Sequence, residues 1–409
     1  MAVSTKPLFN SRPTRLFALT RHLRQPPFIF TNHDHARSLK TVAHAIAPIN
    51  IEDFRRDAFQ AQKPLLIRPC SKELSTFSAI YQHKNDATTE TSTLPALTKW
   101  FTTSSTLGKA SLTPYLDNFH STILPYEISN PNSTQVSNFI SWLESPSSTN
   151  AASSRPAASS NSNLDSDSNS DSHKSRLTLA HLLKTYIAHH PSSSPSSSES
   201  EFLILDLPLH LLLLAHQFNN TTLSSSQTTP NPCKPLTNLY IAQAPLSHLP
   251  PALQSDLPTP FLVLHAGKGD VYSSSIWLGL QPTYTPWHRD PNPNLFCQLC
   301  GTKTVRLMPP RRGEALFRGV MASLMAAGNP KMRGEEMMTG EQRRVLEEAV
   351  WGGEGPGPDG EGQDVDEMMY EVTVRAGDML FMPLGWWHSV KSMGGEDGGI
   401  NGSVNWWFR

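Results

Sequence analysis

The tightest constraint on this chain lies after Leu239, where short β-rich runs alternate with Gly and Pro. The runs are Leu239–Gln243, Ser275–Leu280, Leu295–Leu299, Lys303–Met308, Tyr370–Val374, Met379–Met382, His388–Val390 and Ser403–Trp407. No run this short buries an apolar face alone, and the turn residues between them force repeated reversals. Such a pattern closes into a sandwich or barrel with helices packed outside. The predicted fold class is mainly β, and α+β overall.

Before Leu239 the pattern is helical and interrupted. Ile51–Phe59 has helical spacing of its apolar residues, and a β-like run, Lys63–Pro69, follows. Short helices are expected around Leu97–Phe101 and Phe139–Leu143, and an amphipathic one over Arg176–His189. Between these lie polar stretches at 145–175, 192–200 and 219–232, with a Gly/acid-rich one at 352–367. Composition explains them. With 38% hydrophobic and 17% charged residues and 34 prolines, the surplus of this 409-residue chain is polar and uncharged. At about 150 residues per domain the length alone allows two or three domains. Polar inserts that bury nothing reduce that to one domain over 49–409, with a helical front half at 49–235 and a barrel at 236–409.

Residues 1–48 form a basic leader. Arg12, Arg15, Arg21, Arg24 and Arg37 are interleaved with Leu16, Phe17, Leu19 and Leu23, and Asp34 is the sole acid. This is the pattern of a mitochondrial transit peptide; a nuclear or cytoplasmic basic tail is the alternative. The net charge of −1 offers no global field for nucleic acid. Four cysteines are too few for a disulfide scaffold, and Cys297 and Cys300 would face opposite sides of a strand. The longest apolar run, Phe202–Leu214, is too short and too broken to span a membrane.

The chemistry is concentrated in Thr285–Pro286–Trp287–His288–Arg289–Asp290. On a strand, residues two apart share a face, so His288 and Asp290 present an imidazole beside a carboxylate. A second imidazole, His388, follows the turn-rich stretch Gly377–Trp387. Two histidines and one carboxylate make the facial triad of non-haem Fe(II) oxygenases, which leaves coordination positions open. Lys303 shares a strand face with Val305 and Leu307 and so points inward, where an ammonium needs an anionic partner.

These residues resemble the JmjC family of Fe(II)/2-oxoglutarate oxygenases, closely over 235–409 and more loosely over Phe54–Pro69. The stretch His288–Arg289–Asp290, Asn294–Leu295–Phe296, Gln298 and Gly301–Thr302–Lys303 carries the likeness, followed by Arg306–Leu307–Met308–Pro309–Pro310. The small JmjC hydroxylases, asparaginyl- and arginyl-hydroxylase-like, are the most similar group. The resemblance implies a double-stranded β-helix (cupin, jelly-roll) barrel. It implies Fe(II) on His288, Asp290 and His388, with 2-oxoglutarate as co-substrate. Lys303, Thr285 and Tyr240 would hold the distal carboxylate of that acid. Asn294 and Asn405 would lie near its other end, and Gln243 and Trp277 match pocket-lining positions.

The implied activity is hydroxylation of a protein or peptide side chain. A modified tRNA base is the alternative substrate and would need a basic patch such as Arg306, Arg311, Arg312 and Arg318. Protein lysine or arginine demethylation and a non-catalytic, ligand-binding cupin are further alternatives. Trp287, Trp386, Trp387, Trp406 and Trp407 read as core and rim aromatics. The chain stops at Arg409, straight after its last strand, which suggests a monomer.

Overall fold

The computed structural model describes residues 39–69, 89–90, 94–103, 110–146, 165–189, 202–225, 233–237, 239–324, 340–352, 369–395 and 397–409. Two sheets face each other. The smaller has five strands in the order Lys40–Thr41, Tyr370–Arg375, Thr302–Met308, Trp387–Ser392, Tyr284–Arg289. The larger has nine, in the order Ala43–Ile46, Leu65–Arg68, Met379–Met382, Asn294–Cys300, Ile400–Phe408, Val271–Leu280, Leu239–Pro245, Ile123–Ser129, Phe202–Pro208. Within the barrel proper the pairings are antiparallel, as between Thr302–Met308 and Trp387–Ser392. The expected mainly β, cupin-like barrel is what forms.

Strand alternation decides what lies where. Val305, Leu307, Val390, Phe296 and Met382 fill the space between the sheets. Their strand neighbours Met308, Trp287 and Trp387 point the other way, into a cluster with Leu316, Phe317 and Leu346. Those last three belong to helices Pro310–Ser323 and Gly340–Trp351, which cover the small sheet. The larger core lies on the outer side of the nine-stranded sheet. Helix Thr134–Glu144, capped by Ser133, buries Val136, Phe139, Ile140 and Leu143 there, a spacing that sets one helical face against the core.

Several expectations change. The domain reaches N-terminal of the expected boundary at 49: Lys40–Thr41 pairs in parallel with Tyr370–Glu371, and Ala43–Ile46 with Leu65–Arg68. The front half is not simply helical, because Ile123–Ser129 and Phe202–Pro208 extend the large sheet. The polar stretch 145–175 ends inside a helix, Asp165–His189. Once the leucine-bearing turns dock, propagation into the preceding Ser/Asp residues adds one hydrogen bond per residue fixed. The stretch 219–232 likewise begins inside helix His210–Ser225. Its Asn219 is 1% exposed and bonds Leu236 O at 2.8 Å and Gly398 O at 3.0 Å. The stretch 192–200, nearly all of 352–367, Cys70 and the leader up to residue 38 lie outside the described residues. No helix among the described residues is long and apolar enough to cross a membrane.

Candidate metal centre and active site

His288 and His388 are directly opposed on adjacent antiparallel strands, with ring centroids 4.2 Å apart. Asp290 sits just past the end of the His288 strand. It places Oδ1 3.7 Å from His288 Nε2 and Oδ2 3.6 Å from His388 Nε2. All three residues are buried, at 3%, 9% and 3% exposure for His288, Asp290 and His388. Among the described residues they are the one group of three such side chains whose ligand atoms converge.

The site suits a cation. His288 Nδ1 meets the Pro286 carbonyl at 2.8 Å, and His388 Nδ1 meets that of Trp386 at 3.2 Å. A carbonyl only accepts, so each Nδ1 carries a hydrogen and each Nε2 is the ring nitrogen that faces Asp290. Separations of 3.6–3.7 Å exceed a hydrogen bond and leave a span that an ion can bridge. Two imidazoles and a carboxylate match the donor set of Fe(II), with Mn, Co or Zn as substitutes.

Asn294 and Asn405 are joined in a chain behind the carboxylate. Asn294 donates Nδ2–H to Asp290 Oδ2 at 2.8 Å, and Asn405 donates to Asn294 Oδ1 at 2.9 Å. Both line the metal cavity, but their amide hydrogens are turned to the ligand shell. The Asn405 Oδ1 is buried without a partner.

Lys303 closes the far end of the same cavity. It is 2% exposed and donates to Ser403 Oγ at 2.9 Å and Tyr240 OH at 3.3 Å. No carboxylate lies within ion-pair range among the described residues. Burial lowers its pKa from 10.5 to about 7, so the ammonium is poised to gain from an arriving anion. Thr285, Trp277, Phe296 and Trp407 complete the walls. Gln243 sits at a bulge in its strand with φ of 51°, and it is not among the lining residues. Ser403 was missed by sequence reasoning. Its signal was simple: it precedes Asn405 by two on one strand, so both share a face.

Four of the five tryptophans pack away from the cavity. Trp287, Trp387 and Trp406 are at most 1% exposed, and Trp386 packs inside the barrel; Trp407 alone lines the cavity. Arg306 cannot serve a basic patch, because it is bound to Glu371 at 2.7 Å and stacked on Trp351. Arg318 is paired with Glu314. Cys297 and Cys300 are buried and form no disulfide among the described residues. A cavity of about 700 Å³ between Pro114–Phe119 and His210–Ser225 includes His210 and His216, yet among the described residues no third ligand atom converges with them.

The model of the cupin-like domain family matches residues 51–409. The chain belongs to that family. Within it, the cupin-like chain is similar to JmjC proteins. Over 178 residues it is 26% identical to lysine-specific demethylase JMJ30 of Arabidopsis thaliana, covering 44% of this chain and 35% of that one. Over 171 residues it is 25% identical to lysine-specific demethylase 8 of Danio rerio, covering 41% and 36%. Over 187 residues it is 28% identical to JmjC domain-containing protein F of Dictyostelium discoideum, covering 41% and 35%. The matched segment thus spans little more than a third of each relative. The cupin-like fold, the family and the converging His-Asp-His group agree with one another.

Proposed function

We propose that this chain is an Fe(II)- and 2-oxoglutarate-dependent dioxygenase that hydroxylates a protein side chain. One observation carries the reading: a buried two-histidine, one-carboxylate group and a buried lysine without a carboxylate partner line a single cavity. His288, Asp290 and His388 would hold the metal. Asn294 and Asn405 keep the Asp290 carboxylate turned toward the two imidazoles. Lys303, steadied by Ser403 and Tyr240, would pair with the distal carboxylate of the co-substrate. Trp277, Phe296 and Trp407 narrow the cavity and exclude bulk water, which strengthens each charge interaction inside it. When bound, the metal and co-substrate supply the oxidative chemistry, and the protein supplies position and shielding.

The names of two relatives, both lysine-specific demethylases, support a second reading with the same site. Hydroxylation of an N-methyl carbon yields an unstable product that loses formaldehyde, so only the substrate differs. We also propose that the basic leader directs the chain to mitochondria; a tagged full-length protein seen elsewhere in the cell removes that proposal.

The test is 2-oxoglutarate turnover with Fe(II) and ascorbate, followed by mass spectrometry of candidate proteins. Wild type should turn over and His288→Ala should not. Equal turnover in both would sink the dioxygenase reading. A gain of one oxygen on a protein separates hydroxylation from a demethylating loss of one CH₂, and a gain on tRNA would move the substrate to nucleic acid.

A further inference from the structure

A second cavity of about 230 Å³ lies behind the Lys303 end of the metal cavity, with Tyr240 as the shared wall. Helix Gly340–Trp351 supplies Arg343 and Glu347 to it, the small sheet supplies Tyr284 and Lys391, and Glu127 comes from the large sheet. The two bases and two acids balance formally, but only one pair of them is closed. Lys391 Nζ lies 2.7 Å from Glu347 Oε1, so that pair is closed. Arg343 is held 4.8 Å over the Tyr284 ring, and its buried Nε has no acceptor. No carboxylate lies within ion-pair range of Arg343 among the described residues. A planar guanidinium fixed on an aromatic face beside a cavity is preorganised for a carboxylate, which it binds through two parallel hydrogen bonds.

We propose that this cavity binds the carboxylate of a small organic acid on Arg343. The neighbouring acids set the class. Glu127 is 7% exposed and Glu347 lies alongside, so a doubly charged phosphate would meet repulsion that a single carboxylate largely escapes. The site stands apart from the dioxygenase reading. Only its link to the co-substrate rests on that reading: Tyr240 touches this cavity and accepts from Lys303, so the two acids would share one wall.

Equilibrium dialysis of the full chain against labelled acetate, a single carboxylate, tests it. Wild type should bind two equivalents, Lys303→Ala one and Arg343→Gln one. Circular dichroism melts check that both variants fold. If Arg343→Gln does not, Arg343→Lys keeps the charge without the fork and should weaken the second equivalent by about tenfold. Two equivalents retained at full affinity in a folded Arg343 variant overturn the proposal. One equivalent in wild type, lost only in Lys303→Ala, overturns it while sparing the co-substrate reading. One equivalent lost only in Arg343→Gln supports the site and overturns that other reading. Inorganic phosphate that displaces acetate from Lys303→Ala at equal concentration overturns the carboxylate assignment.

Discussion

Lys303 carries a charge that its surroundings resist. Its folded pKa of about 7 lies below the ordinary 10.5, so the unfolded chain binds more protons between those values. Stability therefore rises as pH increases from about 7 toward 10.5, and the cost of the buried ammonium is fully present below that window. Lys303→Met should remove this dependence and raise stability near neutral pH by about 1–4 kcal/mol. Urea melts across that window check it. The same variant should lose 2-oxoglutarate binding. Asn405→Ala acts differently, since Asn405 reaches Asp290 only through Asn294. It should weaken Mn(II) binding about 10–100-fold, read by electron paramagnetic resonance. At this scale the ligand triad and Lys303 were legible, because strand alternation shows which residues share a face. The direction of the asparagine amides was not, since it depends on which neighbour wins each hydrogen.

Among the elements, helix Pro310–Ser323 decides how tightly the His388 strand is backed. Its Gly313 has no room for a methyl group: a Cβ there would lie 2.3 Å from the Trp387 side chain, which is fully buried. Gly313→Ala would gain about 1 kcal/mol in helix propensity. The clash with an immobile ring next to His388 outweighs that gain, so a net loss of about 1–3 kcal/mol is expected in thermal melts. The helix faces were readable wherever leucines recur at helical spacing. Asn219 was not. It stands at the head of a polar stretch, and its three buried hydrogen bonds join Leu236 and Gly398, partners that sequence distance conceals. Strands Lys40–Thr41 and Ala43–Ile46 were equally hidden: they have two and four residues, mostly exposed, and exist because sheet edges await them.

For the molecule as a whole, a metal held by His288, Asp290 and His388 would add stability. A cation bridging two strands and the loop after one of them binds the folded chain only. Metal at a hundredfold excess over its Kd stabilises by about 2.7 kcal/mol. A chelator should lower the Tm of wild type and leave that of His288→Ala unmoved. Calorimetry of both proteins decides this, and equal shifts would remove the metal from the triad. The barrel was legible at this scale because turn residues punctuate every strand after Leu239. The breadth of the large sheet was not, since Phe202–Pro208 joins it from a run that reads only as a broken apolar stretch.

The parallel strands at Lys40–Thr41 and Ala43–Ile46 reach one edge of each sheet in turn. Any protease that matures the chain must therefore cut upstream of Lys40. A cut after Ile46 would strip the rows of backbone donors and acceptors on Leu65–Arg68 and Tyr370–Arg375, and bare rows of that kind recruit other chains. Over-trimmed molecules would be lost to aggregation with the metal-ligating side chains still present, and sheet closure sets how far the N-terminal side of the fold can be shortened.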